Sequence, residues 1–192
     1  MPETSTATEA AATRASPLAH VVTPGRFGAG RGGCGVELSV RHPLSIVTVI
    51  ARSGKADGLV AALNALDGCA VNWAGPGQYY VIAEGRTEGA LYRELKDRLN
   101  GIASVSDQSH GRIVMRIDGP KSRNVLAKGT PVDLHRDEFA IGKSAVTQMA
   151  HVGVHLTRTG EDAFEFSVFR GFAESFWQWL TQQAEEYGYQ VT

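Results

Sequence analysis

SVSDQSHGRIVMRIDGPKSRNVLAKGTPVDL, residues 104–134, carries the most specific pattern in the chain. Apolar and polar side chains alternate in its RIVMRID segment, residues 112–118, with the period of a half-buried strand. The glycine-proline pair at 119–120 then turns the chain into a short helix that ends by Gly129, because proline suits a first helical position and glycine a position just past the end. We interpret this stretch, called the seam below, as the junction between two similar halves of the chain.

Size and composition are those of one soluble globular unit of one or two lobes. The chain has 192 residues, of which 43% are hydrophobic and 20% charged. A net charge of −1 produces no field that would attract nucleic acid. No apolar run approaches the roughly 20 residues of a membrane-spanning helix, and the N-terminus lacks a signal-peptide pattern, so we expect a cytoplasmic protein without a membrane partner. Cys34 and Cys69 are isolated and are expected to be reduced thiols.

A glycine-rich segment, residues 23–35, precedes the first strong strand pattern. Gly28, Gly30 and Gly33 satisfy G-x-G-x-x-G, but a dinucleotide fingerprint needs a strand before it and a helix after it. Here Pro24 precedes the glycines and a strand-like segment follows them. The pattern therefore indicates a flexible or partner-contacting loop.

The two halves of the chain repeat one order of elements. In the first half, apolar periodicity predicts strands at 46–50, 69–73, 79–83 and 102–106, with helices whose apolar stripes are Leu59, Leu63 and Leu66 and then Leu91, Leu95 and Leu99. In the second half it predicts strands at 112–118, 145–150, 152–159 and 164–169, helices at 121–128 and 172–187, and a short final strand at 189–192.

The predicted fold class is α+β, with two ferredoxin-like β-α-β-β-α-β lobes in tandem and antiparallel sheets that carry their helices on one face. Residues 1–16 contain almost no large apolar side chain and are predicted to be a disordered tail. Residues 17–192 would form a single domain, made of lobe one, 36–109, and lobe two, 110–192.

No group of side chains in the sequence predicts a catalytic, cofactor-binding or metal site. Asp133, His135 and Asp137 alternate as possible metal ligands, but in a polar segment that is typical of a solvated loop. His151 and His155 have the i, i+4 spacing of zinc ligands on a helix, yet Val-Gly-Val between them favours a strand with an exposed face.

Asp107, Ser109 and His110 in the seam could suggest a nucleophilic triad. Triads bring residues together from separate elements and place the nucleophile on a strained turn, whereas these three are neighbours. Turn hydrogen bonds, in which Asp107 or Ser109 caps backbone N–H groups, explain them better.

Trp177 and Trp179 lie two residues apart in the final helix, so they would occupy opposite edges of its apolar stripe. An apolar stripe this wide is broader than a helix needs to cover one face of a sheet, so one edge of it is free to meet another chain. Tryptophan is also enriched at the anchor points of protein interfaces. We regard Trp177, Trp179 and His110 as candidate partner contacts, with core packing as the alternative for the two tryptophans.

Five segments, taken in order and spacing, resemble the gamma subunit family of heterotetrameric sarcosine oxidase. That family in turn resembles the folate-binding lobes of the glycine-cleavage T-protein, and the T-protein's two ferredoxin-like units agree with the duplication predicted above. This second likeness concerns the fold, because no position here matches the T-protein's catalytic aspartate. The five segments are SPLAH (16–20), NWAGPGQYYVIA (72–83), SVSDQSHGR (104–112), IDGPKSRNVLAKGTPVDL (117–134) and SFWQWL (175–180).

The resemblance implies a non-catalytic subunit of a complex that oxidatively demethylates sarcosine to glycine. Such a complex passes the one-carbon unit to tetrahydrofolate or releases formaldehyde, and it reduces oxygen to hydrogen peroxide. The implied partners are the alpha, beta and delta subunits, and the implied cofactors, FAD, FMN, NAD, zinc and tetrahydrofolate, belong to those other subunits. Two alternatives are a chain that binds folate or transfers an aminomethyl group in the groove between its lobes, and a free-standing adaptor.

Overall fold

The computed structural model describes residues 14–28 and 33–192, which form two β-sheets and four α-helices. Most of the predicted disordered tail, residues 1–13, lies outside the described residues, as does Gly30 of the glycine-rich loop. The last part of the tail, residues 14–16, is hydrogen-bonded to the rest of the chain, which corrects the predicted end of the tail at residue 16. None of the described helices is long and apolar enough to cross a membrane.

The elements follow the predicted order in both halves, except that a strand, Gly25–Phe27, lies in the glycine-rich segment, where the sequence predicts a loop. Short 3-10 turns, Arg170–Phe172 and Glu185–Tyr187, flank the last helix. The helices are α1 Ala56–Asn64, α2 Ala90–Arg98, α3 Ser122–Leu126 and α4 Ala173–Ala184. The strands are β1 Gly25–Phe27, β2 Val36–Arg41, β3 Ser45–Ala51, β4 Ala70–Gly75, β5 Gln78–Ala83, β6 Ala103–Asp107, β7 Arg112–Asp118, β8 Ser144–Met149, β9 Val152–Arg158, β10 Phe164–Phe169 and β11 Tyr189–Val191.

The smaller sheet has four antiparallel strands in the order β4-β5-β3-β6. Its elements, β3-α1-β4-β5-α2-β6, follow the predicted β-α-β-β-α-β order of lobe one. Leucines of both helices pack on Val47, Val49 and Val81 in one buried cluster. The helices therefore cover one face of this sheet.

Strand β3 is buried on both faces over most of its length, which explains why its sequence is largely apolar. Val47 and Val49 contact the helices of the smaller sheet. Ile46 points the other way and packs with Tyr80 and with Val114 of β7, which belongs to the larger sheet. The second face of the smaller sheet is thus an internal surface between the two sheets.

The larger sheet has seven strands in the order β1-β11-β2-β7-β10-β9-β8. Strand β2 pairs with β7 and β11 here, and not with the smaller sheet as its place at the start of lobe one implied. This corrects the expected lobe boundary at residue 36. Because β2 is inserted between β7 and β11, the β11–β2 pair is parallel, which also corrects the expectation of purely antiparallel sheets.

Helices α3 and α4 both pack on one face of the larger sheet. Phe176 and Leu180 of α4 are fully buried against Met115 and Phe166, with Leu126 of α3 in the same cluster. The α+β class and the one-sided helices are confirmed for this half. Its extra strands make it larger than a simple copy of the first half.

The central position of β2 predicts a large stability loss when its core side chain is shortened. Leu38 has no exposed surface, whereas Ile50 of β3 is 46% exposed. We expect Leu38→Ala to lower the free energy of unfolding by about 2–5 kcal/mol and Ile50→Ala by less than about 1 kcal/mol. Urea unfolding of both variants measures the difference, and equal losses would contradict a central β2.

Candidate functional site at the junction of the sheets

The aromatic ring of Tyr80 is the centre of the junction between the sheets. Tyr80 projects from β5, and the Arg112 guanidinium from β7 lies 4.6 Å from its ring centroid. The imidazole of His155, from β9, meets the same ring edge-on at a centroid distance of 4.9 Å. Two strands of the larger sheet therefore contact one side chain of the smaller sheet.

His155 also makes a polar contact across the junction. Its Nε2 lies 2.8 Å from the carbonyl oxygen of Trp73 in β4, so the Nε2–H donates and Nδ1 carries no proton in the neutral ring. The expectation of an exposed strand face is wrong for His155, which lies in β9 but is 3% exposed. His151 is exposed, but it lies in the turn between β8 and β9 and not on a strand. Burial lowers the pKa of His155 and nearby Arg112 lowers it further, against the opposing effect of the Trp73 carbonyl.

Arg41 forms a second polar link between the sheets. Its Nη1 donates to both oxygens of Glu165 in β10, at 2.7 and 2.8 Å, and its Nη2 donates to Glu84 after β5 at 2.6 Å. Glu165 is buried, so a charge-assisted pair is needed to offset its desolvation. The pair holds β2 and β10 against the end of β5.

The seam residues form turn hydrogen bonds and no triad. The Asp107 carboxylate accepts from the Ser109 backbone N–H at 2.9 Å, and the Ser109 hydroxyl accepts from the Ile46 N–H at 3.0 Å. The Ser109 carbonyl accepts from Arg14 at 2.8 Å. His110 points elsewhere, with Nε2 2.6 Å from a carboxylate oxygen of Glu88, and both side chains are exposed. The predicted turn network is confirmed.

The two tryptophans of α4 have different surroundings. Trp177 is 4% exposed and belongs to the core, so it presents almost no surface to a partner. Trp179 is only partly buried, lies over Gly129, and forms one wall of an open cavity of about 620 Å³ with Thr130 and Pro131. The partner roles assigned to Trp179 and His110 stay predictions.

Metal-ligand geometry is absent from the described part of the chain, where no three His, Cys, Asp or Glu side chains are grouped to hold an ion. In the polar loop the Asp133 carboxylate accepts from the His135 backbone N–H at 2.8 Å, which is a local turn contact. Asp137 is exposed. The side chains of this loop are thus arranged as a solvated turn.

Sequence reasoning missed the junction itself. Tyr80, Arg112 and His155 are 32 to 75 residues apart along the chain, and no local motif links them. One signal was available: Arg112 opens β7 and is followed by three apolar residues, 113–115, and Tyr80 lies within an apolar run. Neither pattern says that the two residues meet.

Comparison with known proteins assigns the family. The sequence model of the "Sarcosine oxidase, gamma subunit family" matches residues 45–186. The chain belongs to this family. Among curated relatives, the sarcosine oxidase subunit gamma of Corynebacterium sp. (strain U-96) is 33% identical over 135 residues, which span 68% of this chain and 65% of the relative. The subunit gamma of an Arthrobacter species is 30% identical over 93% of this chain and 94% of its own length.

Solved structures agree with this assignment. A chain of the heterotetrameric sarcosine oxidase from Corynebacterium sp. U-96 superposes with a TM-score of 0.78 and 29% identity, covering 91% of this chain and 96% of that one. The glycine cleavage aminomethyltransferase T of Bartonella henselae superposes with a TM-score of 0.61 at 18% identity, over 83% of this chain and 48% of that one. The second match shows a shared fold, and the resemblance read from the five sequence segments is confirmed by the first.

The burial of His155 predicts that stability falls as the pH is lowered. Its folded-state pKa is below the ordinary value of 6.5, so below that pH the unfolded chain binds a proton that the folded chain does not. His155→Gln keeps a donor for Trp73 but does not titrate. We expect it to lose less free energy of unfolding than the wild type between about pH 7.5 and about pH 5.5.

Urea unfolding at each pH measures this difference. His151→Asn is the matched control, because His151 is exposed and asparagine tolerates its positive φ of 66°. It should keep the wild-type slope. A wild-type slope in His155→Gln as well would mean that His155 is not held neutral in the folded state.

The contact between Gly129 and Trp179 predicts that any side chain added at position 129 destabilises the fold. A Cβ there would overlap the Trp179 ring, with Cη2 at 2.6 Å, and would press on Met149. We expect Gly129→Ala to cost about 1–3 kcal/mol of unfolding free energy. A double-mutant cycle with Trp179→Leu should recover part of that loss.

The control for this cycle is Gly153→Ala. Gly153 lies in β9, and an added Cβ there would meet no atom within 4 Å. It should change stability by no more than about 0.5 kcal/mol. If Gly129→Ala were equally neutral, or if Trp179→Leu did not relieve it, the close packing of Trp179 on Gly129 would be refuted.

Proposed function

We propose that this chain is a non-catalytic structural subunit of a heterotetrameric sarcosine oxidase. The observation that carries the proposal is the superposition, over nearly the whole of both chains, on a chain of the heterotetrameric enzyme from Corynebacterium sp. U-96. The matched segment of the curated Corynebacterium relative spans 65% of that relative, while the Arthrobacter relative is matched almost end to end.

The proposed assembly demethylates sarcosine to glycine, with formaldehyde or methylene-tetrahydrofolate and hydrogen peroxide as products. In this proposal the alpha, beta and delta subunits are the partners, and they hold the flavins, NAD, zinc and tetrahydrofolate. The polar groups of the junction support a structural role for this chain, because Arg41, Ser109 and His155 each have a protein partner within the fold. A catalytic acid or base needs a polar side chain that is free to face a substrate.

Two exposed features are the proposed contact points with the other subunits. Trp179 offers a partly exposed indole beside the Gly129–Pro131 turn, next to an open cavity. His110 and Glu88 form an exposed pair on the seam. Aromatic anchors and rim charges of this kind are common in protein interfaces.

We further propose that the larger sheet is a second ferredoxin-like unit that has been enlarged. If β2 is left out, the strands β11, β7, β10 and β9 keep the neighbour order that β6, β3, β5 and β4 have in the smaller sheet. Strands β1, β2 and β8 would then be additions. The duplication accounts for the two similar passes of elements along the chain.

Co-expression tests the structural role. We expect that alpha, beta and delta subunits expressed without this chain give less than about one tenth of the assembled complex, because an unfilled interface leaves apolar surface exposed. Size-exclusion chromatography and flavin content measure assembly, and turnover is reported per bound flavin. Full assembly and full activity without this chain would refute the proposal.

Point variants locate the contact surface in the same assay. His110→Ala should reduce retention of this chain in the complex by about tenfold while turnover per flavin stays near the wild-type value. His135→Ala is the matched control, since His135 is also exposed but lies in the polar loop of the second half. A His110→Ala complex that assembles normally but loses turnover would instead indicate a catalytic role.

A further inference from the structure

A cavity of about 310 Å³ opens where the segment before β1 meets the loops of both sheets. The smaller sheet contributes Glu88 and the seam residue His110, and the larger sheet contributes Arg112 and Arg170. The segment before β1 adds Arg14, and the β2–β3 connection adds His42. We call this cavity the basic crevice.

Positive charge in the basic crevice exceeds negative charge. Its walls carry three arginines against one carboxylate, that of Glu88, which already lies 2.6 Å from His110. The ion pairs of the described residues leave Arg14, Arg112 and Arg170 out. None of the three arginines of the crevice therefore has a carboxylate partner among the described residues.

Two of these arginines have buried donors without partners. The Nε atoms of Arg14 and Arg112 are inaccessible to solvent, and neither has a hydrogen-bond partner among the described residues. Burying a charged donor that remains unpaired costs far more than burying a paired one. An unpaired buried donor calls for an explanation, and an anion in the adjoining cavity is one that also balances the charge of the arginines.

Aromatic rings fix the orientation of Arg112. Its guanidinium carbon lies 4.6 Å from the Tyr80 centroid and 4.2 Å from the Phe169 centroid. Burial lowers the pKa of Arg112, with a smaller opposing effect from Tyr80. A guanidinium held between two rings has little rotational freedom left to lose when it binds a ligand.

His42 adds no positive charge of its own to the crevice at neutral pH. Burial lowers its pKa, and Arg14, Arg170 and His110 lower it further, in that order. A neutral imidazole at this position leaves the surplus charge of the arginines unchanged. Among the described residues that line the crevice, Glu88 is thus the only group that carries negative charge.

We propose that the basic crevice binds a carboxylate group through Arg112 with Arg14 and Arg170. The planar fork of a guanidinium matches the two oxygens of a carboxylate. Ala15 and Pro17 add an apolar wall to the crevice, which suits the carbon skeleton of an organic acid better than an inorganic anion. The carboxylate belongs either to a free organic acid or to an acidic side chain of another subunit.

Thermal unfolding of the purified full-length chain tests the proposal, with succinate as the probe. Succinamide with sodium chloride at matched ionic strength is the neutral control of the same shape. At about 20 mM succinate, we expect Tm to rise by about 2–4 °C above the succinamide control. An equal Tm in both solutions would overturn the proposal.

Variants assign the effect to the basic crevice. Arg112→Gln and Arg170→Gln should each reduce the rise to below about 1 °C. Arg170 is exposed, so its variant keeps the test valid if Arg112→Gln does not fold. Arg52→Gln, an exposed arginine outside the crevice, should keep the full rise. If succinate raised the Tm of Arg170→Gln as much as that of the wild type, and did the same for Arg112→Gln where that variant folds, succinate would bind outside the crevice. That result would overturn the proposal.

The purified complex separates the two sources of the carboxylate. If succinate raises the Tm of this subunit both alone and in the complex, the crevice takes a free organic acid. If the rise occurs only in the isolated chain, an acidic side chain of a neighbouring subunit fills the crevice after assembly. The isolated-chain measurement does not depend on the proposed subunit role, so the two proposals can fail separately.

Discussion

The contact of Arg112 and His155 with the ring of Tyr80 fixes how the two sheets lie against each other. Around it, Ile46, Ile82 and Val114 form a small buried cluster that includes side chains of both sheets. Without this cluster, the smaller sheet would be stabilised only by the packing of its two helices on its other face. The second face of β3 and β5 would then expose apolar surface large enough to associate with other chains.

Polar groups at this junction are compensated unevenly. On one side, Glu165 is paired with Arg41, and His155 is neutral and bonded to Trp73. On the other side, toward the basic crevice, Arg112 is stacked between rings, and no carboxylate of the described residues pairs with it. The first arrangement is what stability requires of buried polar groups. The second leaves a buried charge without an anion, which is why we regard the crevice as a binding site and the rest of the junction as scaffold.

Family membership and fold answer different questions about this chain. The match to the sarcosine oxidase gamma subunit family rests on sequence across residues 45–186 and on a superposition that covers 91% of this chain. The likeness to aminomethyltransferase T is one of fold at 18% identity. The side chains of this chain's own junction, and above all Tyr80 and Arg112, are therefore the proper basis for reasoning about what it binds.

The sequence by itself determined the local elements. Periodicity predicted β-α-β-β-α-β for the smaller sheet, the strands and helices of the second half, and the turn bonds of Asp107 and Ser109, because these depend on neighbours a few residues apart. Only the tertiary structure decided that β2 pairs with β7 and β11, that His155 is buried, and that Trp177 is core while Trp179 lies over Gly129. Alternation shows which side chains share a face of a strand, but what covers that face comes from distant parts of the chain.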